Sequence, residues 1–238
     1  TMSDILQAMK RRTGAAVPAV DVVALDEARL FPAPDEDQQG EFTQVATRLI
    51  EFKPARTGLV VAIASNVAGE GASFVSYNLA RILALNLGRR VLWIDANLQA
   101  PQVKLADAGG TFAERLAAPA PVAAAEHPAA GPRLTVMPGG QDLRFLKAEL
   151  ASDRCRQVFE SLRAAWEFVL VDCPPVLSGV ETAWLGRAAD GLVVVVEARR
   201  LKSHIIKHGL QTLRDQKVNV IGTVLNKRRY ELPKAIYD

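Results

Sequence analysis

The sequence predicts an α/β fold, in which a mostly parallel, doubly wound β-sheet is flanked by helices. Short apolar runs rich in valine, isoleucine and leucine alternate with stretches of helical period, and this alternation is typical of a parallel sheet covered on both faces. The 238 residues suffice for one sizeable domain. With 49% hydrophobic and 23% charged residues, the composition excludes a wholly disordered, fibrous or membrane-spanning chain.

The apolar runs and the helical periods place the main elements. Six strands are predicted, at Leu59–Ala64, Arg90–Ile94, Leu134–Met137, Phe168–Val171, Leu192–Val196 and Val218–Leu225. Four longer helices are predicted, at Glu41–Phe52, Ser73–Leu87, Arg154–Trp166 and Ser203–Gln216.

The chain divides into a tether and one domain. Residues 1–38 combine three prolines with the acidic run Asp35–Asp37 and show no sustained period, which predicts a flexible N-terminal tether. Residues 39–238 form the single predicted domain. Within it, residues 117–132 are mostly alanine and proline, and we expect a mobile surface loop there.

Charge and cysteine content restrict the class of partner. The 29 basic and 26 acidic residues give a net charge of +3, too small to indicate a nucleic-acid partner. Cys155 and Cys173 lack the CxxC spacing of a zinc site or redox motif, and two cysteines make no disulfide framework. No segment resembles a secretory signal or a membrane span, so the expected location is cytoplasmic.

The segment after the first strand has the composition of a phosphate-binding loop. Residues 65–73 read Ser-Asn-Val-Ala-Gly-Glu-Gly-Ala-Ser and lead directly into a helix. Gly69 and Gly71 allow close backbone approach to a phosphate, and the helix N-terminus favours an anion. A catalytic loop of this kind carries lysine before its Ser or Thr, yet Ala72 precedes Ser73 here.

Two carboxylates complete the predicted site. Asp95 and Asp172 end the second and fourth predicted strands, and ligands of parallel sheets collect at the carboxyl edge. Both are candidates to face Mg²⁺. A simple strand-to-helix turn at Gly69 and Gly71 remains the alternative to a nucleotide site.

Four segments together resemble the bacterial tyrosine autokinases of polysaccharide export, a branch of the MinD and ParA type of P-loop ATPases. They are Gly69–Gly71, Asn78–Ala80, Val91–Asp95 with Pro101, and Val171–Pro175. The resemblance implies a P-loop NTPase-like domain that binds ATP or ADP through Gly69, Glu70, Gly71, Ala72, Ser73 and Phe74. It also implies Mg²⁺ on Ser73, Asp95 and Asp172, with the two aspartates as vestigial or weak catalytic residues.

The chain departs from the family at several functional positions. Ala72 replaces the lysine, Asn97 the second aspartate and Gln99 the arginine of the family's second motif. Gln44 and Thr47 replace the arginines of the early helix that support ring formation. Near the C-terminus only Tyr230 and Tyr237 remain of a tyrosine cluster. Because several functional positions have changed together, the sequence favours a pseudokinase, in which ATP or ADP with Mg²⁺ binds weakly or not at all.

The leading hypothesis is a pseudokinase that regulates biosynthesis and export of a bacterial exopolysaccharide or capsule. Its implied partner is a membrane-embedded polysaccharide chain-length or export protein, which would hold it at the inner membrane, with a homo- or hetero-oligomer as a further implication. One alternative is an active autokinase in which Arg199 or Arg200 substitutes for the missing lysine. Another is a positioning scaffold of the MinD or ParA type.

Three remaining features each have a functional and a purely structural interpretation. His204 and His208 have the i, i+4 spacing of zinc ligands, but a solvated helix face explains them better. Cys173 is interpreted as a small buried thiol. The basic clusters at 199–202 and 227–229 follow two strands and should emerge at one sheet edge, either against phosphate or protein or as ordinary surface charge.

Overall fold

The computed structural model describes residues 31–54, 57–97, 100–103, 110–118, 127–128, 132–140 and 146–228. The strands are β1 (Leu59–Ser65), β2 (Val91–Asp95), β3 (His127–Pro128), β4 (Leu134–Met137), β5 (Phe168–Asp172), β6 (Gly191–Glu197) and β7 (Val220–Asn226). The α-helices are α1 (Glu36–Phe52), α2 (Ala72–Arg81), α3 (Phe112–Ala117), α4 (Lys147–Ala151), α5 (Arg154–Ala165), α6 (Glu181–Ala188) and α7 (Ser203–Asp215). A π-helical turn, Ile82–Asn86, extends α2, and a 3₁₀ turn, Val176–Ser178, follows β5.

The described strands form one sheet in the order β3-β4-β2-β5-β1-β6-β7. Every neighbouring pair is parallel except β3 and β4, where the two-residue β3 runs antiparallel at the edge. The predicted α/β class with a mostly parallel sheet is therefore confirmed. Because the apolar strand runs are long and continuous, the six longer strands were recognisable from the sequence alone.

Alternate residues of each central strand enter two separate cores. Val60, Ala62 and Ala64 of β1 face the core beneath helices α3 to α7, whereas Leu59, Val61 and Ile63 face the core beneath α1 and α2. This two-sided burial is what a doubly wound sheet requires, since successive side chains of a strand point to opposite faces.

Helix α1 begins five residues earlier than predicted. Asp35 accepts a hydrogen bond from the Gln38 amide over 2.8 Å, and the Gln38 side chain accepts one from the Asp35 amide over 3.2 Å. This reciprocal capping box starts a helix within the acidic run that the sequence analysis assigned to the tether. The predicted start at Glu41 is therefore wrong.

The segment before α1 is also packed. Phe31 is only 2% exposed, and its ring stacks on Tyr77 with centroids 4.2 Å apart and meets the edge of Trp93 at 5.4 Å. The predicted tether of residues 1–38 therefore includes packed residues, because residues 31–38 supply a core aromatic side chain and a helix cap. Residues 1–30 lie outside the described part of the chain.

The predicted loop at residues 117–132 needs a second correction. Ala117 ends helix α3, whose cap Thr111 accepts from the Glu114 amide, and His127 and Pro128 pair with β4 as strand β3. A strand of two residues is too short to show a hydrophobic period, so the sequence could not reveal β3. Its pairing with β4 identifies it as a strand. The rest of this segment, apart from Ala118 and Pro132, lies outside the described residues.

We predict that Phe31→Ala lowers the free energy of unfolding by about 3–5 kcal/mol, the usual cost of truncating a buried phenylalanine. Equilibrium urea unfolding measures this change. Phe52→Ala is the matched control, because Phe52 is 46% exposed at the end of α1. A loss at Phe31 no larger than the loss at Phe52 would show that the segment before α1 does not pack on the sheet.

Candidate functional site

Five strands deliver their last residues to one edge of the sheet. Ser65, Asp95, Asp172, Glu197 and Asn226 end β1, β2, β5, β6 and β7. The register aligns Asp95 with Asp172 and Glu197 with Asn226. The fold thus brings together two predicted carboxylates and two polar side chains that the sequence analysis did not include in the site.

The loop between β1 and α2 has the backbone of an anion cradle. Gly69 and Gly71 take φ values of 86° and 94°, in the left-handed region that other residues rarely adopt. A Cβ atom on Gly71 would collide with the Asn226 amide nitrogen. Gly71 is the N-cap of α2, and it makes no side-chain hydrogen bond to the first turn. The first amides of the helix therefore remain available to a ligand.

A cleft of about 440 Å³ opens beside this loop. Gly69, Gly71, Ala72, Ser73 and Phe74 line it, which places five of the six predicted cofactor-binding residues around one space. Other walls come from Phe31 and from the segment after β2, including Asn97 and Gln102. The cleft combines glycine backbone, a helix N-terminus and a serine hydroxyl, a set that suits a phosphate group.

Glu70, the sixth predicted cofactor-binding residue, turns away from this cleft and is fully buried. Its Oε2 accepts from the Val67 amide over 2.9 Å, and its Oε1 accepts from the Glu197 amide over 3.2 Å. The side chain therefore ties the loop to the end of β6. Its visible role is to brace the loop.

Asp95 is engaged by the loop that follows β2. Its Oδ2 accepts from the Gln102 and Val103 amides over 2.6 and 2.9 Å, and its Oδ1 accepts from the Asn97 amide over 3.3 Å. Burial raises the pKa of Asp95 to about 6, although these three amides act in the opposite direction. The Asp95 carboxylate thereby holds the segment whose Asn97 and Gln102 line the cleft.

Asp172 is the unusual group of the site. It is fully buried, and neither of its carboxylate oxygens accepts a hydrogen bond from any described residue. Burial raises its pKa well above the ordinary value, and the neighbouring Asp95 raises it further. The Ser73 and Ser76 hydroxyls oppose this rise without reaching good hydrogen-bond geometry. A buried carboxylate without a partner is costly unless something else neutralises it.

These groups fit a hydrated Mg²⁺ carried by a nucleotide. The described residues contain no cluster of three or more His, Cys, Asp or Glu side chains able to hold a metal unaided. Mg²⁺ usually keeps several waters and takes one or two protein oxygens together with substrate phosphates. Ser73 and the unpaired oxygens of Asp172 would supply such oxygens, and the bound ion would supply charge neutralisation between carboxylate and phosphates.

The opposite face of the loop is held by side chains that lie at or just after the ends of β6 and β7. Three consecutive carbonyls, those of Ala68, Gly69 and Glu70, accept from Arg200, Lys227 and Asn226 respectively, each over 2.8 Å. Glu197 joins the two cations, with Oε2 at 2.9 Å from Arg200 and 3.1 Å from Lys227. Lys227 first and then Arg200 lower the pKa of Glu197.

The predicted convergence of the two basic clusters at one edge therefore holds for Arg200 and Lys227. The sequence analysis had included neither Lys227 nor its anchor Glu197 among the site residues. Of the remaining candidates, His204 and His208 are both exposed, and Cys155 and Cys173 are free, buried thiols, of which Cys173 lines the cleft. Gln99, Tyr230 and Tyr237 lie outside the described residues.

The fold and the site together define an α/β domain of the P-loop NTPase type. Residues 58–228 match the AAA domain family. The chain belongs to this family. Its curated relatives include bacterial tyrosine-protein kinases and a chromosome partitioning protein ParA.

Two curated relatives show where the likeness lies. The chain is 31% identical over 184 residues to the succinoglycan biosynthesis transport protein ExoP of Rhizobium meliloti, covering 71% of this chain and 22% of ExoP. It is 28% identical over 172 residues to the tyrosine-protein kinase CpsD of Streptococcus agalactiae, covering 71% of this chain and 75% of CpsD. The chain thus spans about a fifth of ExoP's length.

Solved structures share the fold. The kinase domain of the Escherichia coli tyrosine kinase ETK superposes with a TM-score of 0.71 at 24% identity, over 82% of this chain and 78% of that domain. MinD of Pyrococcus horikoshii, complexed with Mg-ADP, superposes with a TM-score of 0.60 at 23% identity, over 75% of both chains. No helix in the described part of the chain is long and apolar enough to cross a bilayer.

We predict that Asp172→Asn stabilises the metal-free protein at pH 7 by roughly 1–3 kcal/mol, because it removes a buried, unpartnered carboxylate. The raised pKa means that the folded state keeps this proton at a pH where the unfolded state has lost it. The wild-type protein therefore loses stability relative to the variant as the pH rises above about 4.

Urea unfolding in EDTA between pH 4 and pH 7 measures both effects. The gain from Asp172→Asn should shrink towards zero near pH 4, whereas the exposed control Glu51→Gln should change little at any pH. Equal stability of the wild type and Asp172→Asn at pH 7 would mean that the carboxylate has a partner.

Proposed function

We propose that this chain is a non-catalytic, tyrosine-kinase-like protein that binds a nucleotide and regulates the biosynthesis and export of a bacterial surface polysaccharide. Nucleotide binding relies on the amides of residues 69–74, the helix α2 N-terminus and a Mg²⁺ held near Ser73 and Asp172. Phosphoryl transfer is lost. The bound nucleotide then serves as a conformational signal to a partner.

The observation that carries this proposal is the alanine at position 72 within an otherwise intact cradle. Ala72 lines the cleft, between Gly71 and Ser73, where a lysine would reach the phosphates. Loss of one charge-assisted contact lowers binding by ~1.5–3 kcal/mol, whereas loss of a transition-state cation costs orders of magnitude in rate. Binding thus survives a change that removes catalysis.

A second altered position supports the same conclusion. Asn97 lies at the cleft where the resembling kinases have an aspartate, and its side-chain Oδ1 is buried without a partner among the described residues. An amide carries no charge for a metal, so the cleft has one carboxylate fewer than an active member of the family. Of the three tyrosines in this sequence, Tyr77 is fully buried, so Tyr230 and Tyr237 are the candidate phosphate acceptors within it.

The proposed biological setting comes from the relatives. ExoP is named as a succinoglycan biosynthesis transport protein and CpsD as a tyrosine-protein kinase. The proposed partner is a membrane-embedded polysaccharide chain-length or export protein, which would place this chain at the cytoplasmic face of the inner membrane. Co-purification of the chain with such a protein from detergent-solubilised membranes tests this setting, and recovery of a chromosome- or septum-positioning partner would favour a MinD-like scaffold instead.

An active autokinase is the second candidate, and the position of Arg200 bears on it. Arg200, proposed from the sequence as a substitute cation together with Arg199, does contact the phosphate loop. It donates to the Ala68 carbonyl, however, and not into the cleft lined by Ala72. The contact favours a bracing role over direct contact with a transferring phosphate.

We predict that the purified chain incorporates no phosphotyrosine during incubation with Mg-ATP, since no cation from position 72 stabilises the transition state. Anti-phosphotyrosine blotting and mass spectrometry of residues 229–238 provide the measurement, with CpsD as the positive control. Phosphotyrosine that appears in the wild type and disappears in Asp172→Asn would contradict the loss of catalysis.

We predict that Ala72→Lys strengthens Mg-ATP binding about tenfold, the size of one charge-assisted contact, and still yields no autokinase while Asn97 is unchanged. Ala72→Met is the matched control, because it adds similar length without charge. Isothermal titration calorimetry should find tighter binding for Ala72→Lys alone. If both variants bind alike, residue 72 does not face a phosphate.

A further inference from the structure

We infer that Lys227 and Arg200, clamped together by Glu197, are positioning residues that take over part of the electrostatic role of the missing lysine at position 72. This inference rests on the proposed nucleotide binding and names the residues on which its affinity depends. The two cations act from the carbonyl face of the loop, opposite the face that receives the phosphate.

The geometry of the clamp supports this role. Lys227 Nζ and Arg200 Nη2 donate to the carbonyls of Gly69 and Ala68, each over 2.8 Å. A carbonyl bonded to a cation polarises its peptide unit, so the amide of the same unit becomes a stronger donor. The carbonyl of each residue shares its peptide unit with the next amide, which places this effect on the amides of Gly69 and Glu70.

The charge balance of the clamp is favourable for an anion. Two cations share one carboxylate, so the group Glu197, Arg200 and Lys227 carries a net charge of +1, which lies beside the buried Glu70 carboxylate of the same loop. The Lys227 side chain is 49% exposed and that of Arg200 is 37% exposed. Their field therefore acts through partly solvated surroundings and depends on ionic strength.

The backbone at Lys227 is itself strained. Lys227 has a φ of 54°, a left-handed conformation that favours glycine or asparagine. The conformation follows directly after Asn226, whose side chain bonds the Glu70 carbonyl, and it brings the amine back over the loop. Strained backbone of this kind concentrates at functional sites, where the surrounding contacts maintain it.

The test compares Lys227→Asn with the wild type in Mg-ADP titrations. Asparagine tolerates the left-handed backbone, so the variant should fold, and its unfolding midpoint without ligand should remain close to the wild-type value. We expect Mg-ADP affinity to fall about tenfold. Lys202→Gln is the matched control, since Lys202 is an exposed lysine of the same edge and should leave affinity unchanged.

Salt dependence separates charge from mere loop support. The difference between the wild type and Lys227→Asn should shrink at 1 M salt, where the Debye length is about 3 Å, and Lys227→Arg should recover most of the lost affinity. A deficit that is equal at low and high salt, or that Lys227→Arg does not reduce, would contradict the electrostatic role.

Two further outcomes distinguish an error in this inference from an error in the proposed function. If the wild type binds Mg-ADP and Lys227→Asn binds it equally well, the inference is wrong while the proposed nucleotide site stands. If the wild type binds no Mg-ADP, the proposed function is wrong and the inference falls with it.

Arg200→Gln combined with Lys227→Asn should weaken binding more than either change alone.

Discussion

Three consecutive carbonyls of the loop at residues 68–70 depend on side chains that lie at or just after the ends of β6 and β7. Arg200, Asn226 and Lys227 satisfy these carbonyls, and Glu70 returns a carboxylate contact to the Glu197 amide. With its carbonyls held in this direction, the loop presents its amides to the cleft. The cradle is therefore a property of the β1, β6 and β7 arrangement as a whole, because a glycine loop alone would not fix which face meets the ligand.

A buried carboxylate lies directly before Cys173, which lines the same cleft. Asp172 keeps a fully buried carboxylate with no hydrogen-bond partner among the described residues, next to Asp95 whose pKa is raised to about 6. A protein that needed only stability would gain from removing this carboxylate. The presence of Asp172 beside Ser73 is explained if a metal cation and a phosphate bind in the cleft together. The cation then neutralises the buried carboxylate, and the phosphate occupies the loop amides.

Much of this arrangement could be predicted from local sequence, and the exceptions have physical causes. The six longer strands are continuous apolar runs, and the glycines of the loop follow the first of them directly, so strand order along the chain and the phosphate loop were both visible. The start of α1 was missed because Asp35 belongs to an acidic run that equally suits a tether, and only its pairing with Gln38 identifies it as a cap.

The braces of the loop could not be found in the same way. Lys227 contacts Gly69 across 158 positions, and the Glu197 amide contacts Glu70 across 127. Periodicity reports only on near neighbours, so the sequence predicted that the basic clusters share an edge but not which member bonds which carbonyl. The unpartnered state of Asp172 likewise emerges only when every neighbour is in place.

The account depends most directly on the amides of residues 69–74 being the groups that bind phosphate. Hydrogen–deuterium exchange of the wild-type chain with and without Mg-ADP measures this, because amides that donate to a bound phosphate exchange more slowly. The account predicts slowed exchange in peptides that cover residues 69–74, with much smaller changes in helices α3 and α5 on the other face of the sheet. Binding of Mg-ADP without any protection at residues 69–74 would contradict it.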